Sequence, residues 1–409
     1  MSMRMPASRS GRRRLALAAV ALTFAAAAGV RAQQAPASLT LRVENPAAVA
    51  RVAETVAVPW EVVARLSGAG PGRVRVREPV SGRELTAQAL DGDADGQLDS
   101  LLFQASFEPR AAKLFLVEAA APADSVVSQA HVLFVPERED VAWESDRIAF
   151  RIYGKKLWEL ENLHTNGIDV WPKRTRRLVL DEWYSAGHDS YHIDKGEGAD
   201  FFQVGPTLGA GGTGIWRNGV LHRGDNFLQH RLIADGPVRA IFELDYGAID
   251  AAGLQAMEHK RVSIDAGQYL FRQESTFRAS EVGELEVVVG LVKRADMVGS
   301  TSKAAAWAWL SGWGPIAPGT GGHGELGTAV LVPRAGLVDS KELDDHYITI
   351  SRVPAGQPLV SYVGAGWSSS RDFGSAEEWW RYLANFAQRL EHPLKVQVLP
   401  PQTSGRAGQ

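Results

Sequence analysis

From Ser38 onward the chain is written in short runs that alternate apolar and polar residues, each run closed by glycine or another turn former. A period of two puts one face of each run in a core and the other in water, which is the pattern of a strand and not of a helix. The runs include Leu39-Thr40-Leu41-Arg42-Val43, Arg73-Val74-Arg75-Val76-Arg77, Leu101-Leu102-Phe103-Gln104 and Leu114-Phe115-Leu116-Val117. A second set follows in Val238–Leu244, Tyr269–Arg272, Leu285–Val289 and Ala329–Val332. The 41 glycines suit the many turns of such a chain; in helix interiors each would cost about 1 kcal/mol relative to alanine. No strand–helix–strand rhythm is present, which argues against a doubly wound sheet.

The spacing of the runs predicts two domains, a small β-sandwich over 38–122 and a large one over 131–400, with Ala119–Asp124 as the best linker candidate. One helix is predicted near the C terminus. Ser375 and Glu378 form a capping box, and Trp379, Leu383, Phe386 and Leu390 recur at helical spacing, as a stripe packed on the sheet would.

The amino terminus reads as a secretion signal over 1–32. Arg4, Arg9 and Arg12–Arg14 precede an apolar run from Leu15 to Val30, with cleavage expected after Ala32. The run falls short of the ~20 residues that span a bilayer. Arg12-Arg13-Arg14-Leu15 is also compatible with twin-arginine export. Removing this segment takes away six of the 44 basic residues and none of the 47 acidic ones, leaving a net charge of −9. Such a chain lacks the basic surface that a nucleic acid partner requires, and no membrane association is expected once the signal is gone. There is no cysteine, so a protein destined for the periplasm or the exterior has to be held by burial, with a bound ion as a further aid.

That ion has a candidate site. Asp91, Asp93, Asp95 and Asp99 place oxygens at positions 1, 3, 5 and 9 of a loop, with Gly96 at 6 and Gln97 at 7. This is the order of a calcium loop. Position 12 carries Leu102 in place of the usual glutamate, so the expectation is a truncated, structural Ca²⁺ site, with an acidic turn as the competing reading.

The chemically dense region runs from Trp158 to Arg223. Within it, His188-Asp189-Ser190-Tyr191-His192-Ile193-Asp194-Lys195-Gly196-Glu197-Gly198-Ala199-Asp200 collects acids, bases and a phenol on what reads as a loop. Tyr191 or His192 could act as general base with Lys195 neutralising a substrate carboxylate, the requirement of β-elimination from a uronate. Glu197 with Asp194 or Asp200 could form the carboxylate pair of a glycoside hydrolase. His188 and His192, four apart, could hold a metal on one helical turn, although the segment shows little helical character. A loop closed by its own hydrogen bonds is the structural alternative. The glycines of Gly205–Gly214 lack the Lys-Ser or Lys-Thr of a phosphate loop and suggest a rim around a groove. Trp171, Trp183 and Trp216 could stack on sugar rings.

Four stretches, Arg147–Arg151, Tyr191–Gly198, Val204–Gly209 and Gly236–Arg239, resemble the secreted bacterial family catalogued as domain of unknown function 4861. The resemblance implies an all-β chain in which the small N-terminal β-sandwich is followed by a large galactose-mutarotase-like antiparallel β-supersandwich. It also implies a role in breaking down pectin-type polysaccharides; it carries no catalytic assignment. The expectation is therefore an exported lyase or hydrolase of acidic glycans that needs no cofactor for its chemistry. Tyr191, His192, Lys195 and Glu197 are the candidate catalytic residues. His164, Trp171, His188, Asp194, Asp200, Trp216 and Arg223 are the candidate substrate contacts. The alternatives are a non-catalytic glycan-binding protein and a mutarotase-type epimerase.

Overall fold

The structure is a computed structural model that describes residues 38–122, 126–316 and 322–400. The expected signal over 1–32 and the end of the linker candidate lie outside the described residues. As the alternation predicts, the chain is built from antiparallel sheets, and the described residues form one compact unit.

The N-terminal layer consists of two small sheets. The strands Ser38–Glu44, Ala112–Glu118, Arg75–Arg77 and Glu84–Leu85 form one, and Arg51–Pro59, Ser100–Phe107 and Ala87–Leu90 the other. Their facing residues, among them Leu41, Val56, Phe103 and Phe115, make a core of their own. The first sheet is completed by Lys395–Leu399, which pairs with Ser38–Glu44, so the last described strand finishes the layer that the first described strand begins.

The rest is built on an eight-stranded sheet whose central members are Leu254–Asp265, Leu270–Ala279, Pro358–Trp367 and Glu325–Pro333. Phe242, Val262, Phe271 and Val363 point to its inner face. Two sheets supply facing residues to this core. One has five strands, with Ala210–Arg217, Glu284–Val292 and His346–Pro354 at its centre. The other has four, in the order Asp169–Pro172, Ile148–Tyr153, Asp140–Ser145 and Ala130–Val135. Trp143 of the four-stranded sheet meets Phe242 and Phe271 with ring centroids 4.9 and 5.1 Å apart.

On the outer face of the eight-stranded sheet lies the predicted helix, Ala376–Glu391, with the Ser375 side chain accepting from the Glu378 amide. Trp379, Leu383 and Phe386 are buried against Trp309, Trp313 and Leu331, a packing stripe as expected. Among the described residues four shorter α-helices accompany it: Trp60–Val63, Lys156–Glu161, Leu180–Ser185 and His188–Tyr191. Four to six residues are too few to show a helical period, and none of the four has a side-chain cap. No helix among the described residues is long and apolar enough to cross a membrane.

The glycine-rich segment is no groove rim. Gly211 and its neighbours from Ala210 to Ile215 are buried in a strand of the five-stranded sheet. A Cβ on Gly211 would lie 2.1 Å from the side chain of Val363, at a φ of +121°. The glycines here let two sheets approach closely.

Candidate functional site

The outer face of the four-stranded sheet is covered by the segment 173–204, which carries the helices Leu180–Ser185 and His188–Tyr191. Strand alternation decides what it covers. In Ile148–Tyr153, Ile148 and Phe150 face the main core, while Ala149 faces the cover. Arg151, of Ala149's parity, reaches residues of that cover. Ala142, Ala149, Trp171, Leu180 and Tyr191 form the apolar floor. One end of the cover is fastened by a buried pair. Lys173 Nζ donates to Glu144 Oε2 and to the Ser145 carbonyl oxygen, and Glu144 Oε1 accepts from the amides of Val179 and Leu180 at 2.7 and 2.9 Å. Gly198 makes the return pass beside Lys173, at φ +109°, where a Cβ would stand 2.0 Å from the Pro172 carbonyl oxygen.

Arg151 fastens the other end. Its Nε and Nη2 donate to Asp169 Oδ2 at 3.0 and 2.6 Å, its Nη2 also to Asp200 Oδ2 at 2.7 Å, and its Nη1 to the Tyr191 hydroxyl at 3.1 Å. Asp169 comes from the sheet, Asp200 and Tyr191 from the cover. The guanidinium also lies 4.9 Å from the Trp171 ring centroid. Asp140 adds a third carboxylate, 3.9 Å from Arg151 Nη1 and 3.4 Å from Arg138 Nε. Burial, reinforced by the Asp169 charge, pushes the Asp200 carboxyl well above the usual carboxylate range. Burial likewise pushes Asp140 up to about 6, opposed by Arg151 and Arg138.

The Asp140 shift has a measurable consequence. A folded pKa above the unfolded value means that the native state holds the Asp140 proton more tightly, so the contribution of Asp140 to stability is greatest below about pH 4 and is lost by about pH 6. Two pKa units correspond to about 2–3 kcal/mol. Asp140→Asn is expected to flatten the curve of unfolding free energy over that window and to leave the protein at least as stable at neutral pH; denaturant titrations across the window measure it.

His192 follows this buried group directly in the chain and stands partly exposed. Its Nδ1 lies 3.1 Å from the backbone carbonyl oxygen of Asp200 and 3.6 Å from Asp200 Oδ2. A carbonyl oxygen can only accept, so Nδ1 carries the proton and Nε2 keeps its lone pair. Burial lowers the His192 pKa below its ordinary value, which keeps the ring neutral at pH 7. Contrary to the loop expected from sequence, the segment is helical here, and it brings the His188 and His192 ring centroids to 5.0 Å. The two have no third ligand: among the described residues the one group of three or more candidate ligands is Asp91, Asp93 and Asp99. Glu161 Oε1 is 3.8 Å from His188 Nε2 and also accepts from Arg138 Nη2. His192, His188, Glu161 and Arg138 therefore line one side of the cover.

Several predicted residues take other places. Trp171 is fully buried, with Nε1 donating to Asp169, and cannot stack on a sugar. Tyr191 is also buried, and burial raises its pKa despite the nearby Arg151, which makes it a poor base and a fixed part of the clamp. Lys195 lies on the opposite side of the short helix, bonded to Ser190 Oγ. There it lines a cavity of about 80 Å³ with Trp183, Tyr191 and Glu197, of which neither His188 nor His192 is a lining residue. Glu197 accepts from Arg177 through both oxygens, and Asp194 accepts from Arg174. Asp200 is a buried member of the Arg151 cluster and does not face outward. His164 stacks on Trp158, with its Nδ1 2.9 Å from Asp225. Trp216 and Arg223 sit on the edge hairpin of the five-stranded sheet, Trp216 packing beside Leu221 and Leu343.

In the acidic loop, Asp91, Asp93 and Asp99 bring carboxylate oxygens within 4.8 Å of one another. Asp95 turns instead to Gln97, accepting from its amide at 2.7 Å and from its side chain at 3.3 Å. Asp91, Asp93 and Asp99 also accept from amides of the loop itself, including Gly96 N to Asp91 at 2.8 Å.

Sequence reasoning missed Arg138, Asp140, Arg151 and Asp169. The available signal was a charge inside an apolar run, as in Ile148-Ala149-Phe150-Arg151-Ile152, since a charge on a buried strand needs partners.

All of these residues fall inside the stretch 43–396, which matches the family described as "Domain of unknown function (DUF4861)". The chain belongs to the DUF4861 family. The family that the four sequence runs resemble is thus the one that contains them. This DUF4861 chain is 29% identical over 381 residues to "Uncharacterized protein P7" of Formosa agariphila, which covers 88% of this chain and 93% of the relative. Among solved structures it is similar to an alpha-mannosidase from Enterococcus faecalis V583, with a TM-score of 0.44 and 8% identity over 89% of this chain and 46% of the other. It is also similar to a protein in glycosyl hydrolase family 38 from Enterococcus faecalis, with a TM-score of 0.49 and 8% identity over 89% and 47%. The DUF4861 chain spans about half the length of these two structures.

Proposed function

We propose that this DUF4861 protein is an exported lyase that cleaves uronate-containing glycans by β-elimination, with His192 as general base. The observation that carries the reading is the orientation of His192: Nδ1 is held by the Asp200 carbonyl oxygen, and the ring is partly exposed. Nε2 takes the proton next to the substrate carboxylate, and the electron pair left behind forms the new carbon–carbon double bond. The bond to the leaving oxygen breaks, that oxygen keeping the bonding pair and gaining a proton. In this reading His188, its ring centroid 5.0 Å from that of His192, supplies the proton, and Arg138 meets the substrate carboxylate by exchanging its Glu161 partner for it.

Hydrolysis by the carboxylate pair expected from sequence is disfavoured because Asp194 and Glu197 are occupied by arginines, whereas that mechanism needs one carboxyl free to protonate the leaving group. Export belongs to the same proposal and rests on the signal read over 1–32.

The test is incubation of the purified protein with polygalacturonate and related uronate polymers. Elimination is expected to produce a conjugated unsaturated uronate, seen as rising ultraviolet absorbance. New reducing ends without that absorbance would mean hydrolysis, and binding with neither would mean a non-catalytic module; either overturns the elimination reading.

A further inference from the structure

Two of the contacts that hold the segment 173–204 on the four-stranded sheet depend on protons. At one edge stands His131, in the strand Ala130–Val135. Its Nδ1 lies 2.8 Å from Asp235 Oδ1, which also accepts from the Val132 amide at 3.0 Å. An ionised carboxylate only accepts, so in the neutral ring Nδ1 carries the proton and Nε2 keeps the lone pair. That lone pair faces another acceptor. Asp181 Oδ2, in the first turn of the cover helix Leu180–Ser185, is 3.4 Å from Nε2, which is buried without a hydrogen bond. Glu144, in register with His131 on the neighbouring strand, is matched by Lys173. One proton added to the ring turns the contact with Asp181 from two facing acceptors into a charge-assisted bond between sheet and cover.

The carboxylates around Arg151 make the same demand. Asp140 and Asp169 from the sheet and Asp200 from the cover lie within 4 Å of that guanidinium. Among the described residues Arg138 is the one other arginine or lysine within this distance of the three, and it also serves Glu161. Three buried carboxylates therefore share two guanidinium groups. Asp140 Oδ2 accepts from the Tyr184 hydroxyl of the cover at 3.2 Å, while Asp140 Oδ1 is buried with no hydrogen bond. Ionised together, the three acids leave negative charge uncancelled across the junction of sheet and cover, and one proton removes it.

We propose that the segment 173–204 is a proton-operated flap, fastened to the four-stranded sheet while His131 is protonated between Asp235 and Asp181 and the Asp140–Asp169–Asp200 group holds a proton, and loosened as these protons leave. The directions of titration agree. The bond to Asp235, with Asp181 and Glu144 adding to it, raises the His131 pKa against the effect of burial. Its contribution is thus complete below about pH 6.5 and is lost as the pH rises through the raised value. Burial raises Asp140 and Asp200, whose contributions are likewise lost as the pH rises. His192, lowered by burial, titrates in the opposite sense, one group against three. The flap carries His188 and His192, so acid holds this pair in place and alkali releases it. That response does not depend on the elimination reading.

The experiment is amide hydrogen exchange of the purified protein, read by mass spectrometry at about pH 5.5 and about pH 8, with each peptide corrected for its intrinsic rate and the helix Ala376–Glu391 as internal reference. Protection of 173–204 is expected to fall about tenfold or more relative to the helix between the two conditions, since one pKa unit of linkage is a factor of ten in the opening equilibrium. His131→Gln, whose side chain takes up no proton, is expected to lower protection of the segment about threefold at the acidic condition and to leave it unchanged at the alkaline one. Asp200→Asn should act in reverse, raising protection only at the alkaline condition, and Asp140→Asn provides a second variant should that protein not fold. A protein that shows these responses but no lyase activity upholds the flap and removes only the elimination reading. Protection of the segment that is independent of pH, an equal fall in the helix, or folded His131→Gln and Asp200→Asn proteins that follow the parent overturns the proposal.

Discussion

Replacing Arg151 by methionine is expected to lower the unfolding free energy by about 3–5 kcal/mol, the range for removing one partner of a buried ionic group. The guanidinium bonds directly to Asp169, Asp200, Tyr153 and Tyr191, and a further carboxylate, Asp140, lies within 4 Å. Methionine fills similar volume, so the loss comes from the charge: Asp169, Asp140 and Asp200 are left buried near one another with only Arg138 close by. The segment 173–204 loses its tie to the sheet at Asp200 and Tyr191, so early proteolytic cleavage there should accompany the loss. Tyr191→Phe provides the scale. It removes one hydrogen bond and leaves every charge paired, for a cost of about 1 kcal/mol. Denaturant midpoints at constant slope measure both, and an Arg151→Met protein within 1 kcal/mol of the parent would remove Arg151 from its place as the tie between sheet and cover.

The second large effect is on turnover. His192→Gln should reduce the elimination rate by about 10²–10⁴, the usual contribution of a general base, with the thermal midpoint nearly unchanged because the ring is partly exposed and makes one hydrogen bond to the backbone. The pH profile carries the same signature. Because burial lowers the His192 pKa, the base form persists to more acidic pH than for an ordinary histidine, so the acidic limb of the rate profile should rise with an apparent pKa below 6.5. Tyr191→Phe should retain most of the activity, since a buried phenol with a raised pKa does not take protons at neutral pH. A Tyr191→Phe protein that folds normally but does not turn over would reverse the two roles.

Much of the fold was legible because its determinants are local. A period of two needs only a strand and one buried face, and the helix at Ala376–Glu391 announces itself through a capping serine and an apolar stripe. The acid- and base-rich stretch from His188 to Asp200 was also legible as a place of unusual density. Its internal arrangement was not. Four residues of helix place His188 and His192 on one side and Lys195 on the other, a division that a list of neighbours in sequence does not contain. Trp171 and Trp216 show the same limit. An indole looks alike in sequence whether it is sealed beneath a cover or packed at a sheet edge, and burial, set by distant segments, separates the two.

By itself, the sequence determined that the chain forms antiparallel sheets, that one long helix packs on them by an aromatic stripe, and that the segment between Trp158 and Arg223 concentrates titratable groups. Each follows from spacing, because alternation and capping act over fewer than ten residues. Only the tertiary structure decided that Lys395–Leu399 completes the sheet begun at Ser38 and that Arg151 ties Asp200 and Tyr191 of the cover to Asp169 of the sheet. It also decided that the His192 ring turns Nδ1 to a carbonyl oxygen. These depend on residues far apart in the chain being brought within 3–4 Å, and a charge removed from water is held by whichever partner the fold places beside it.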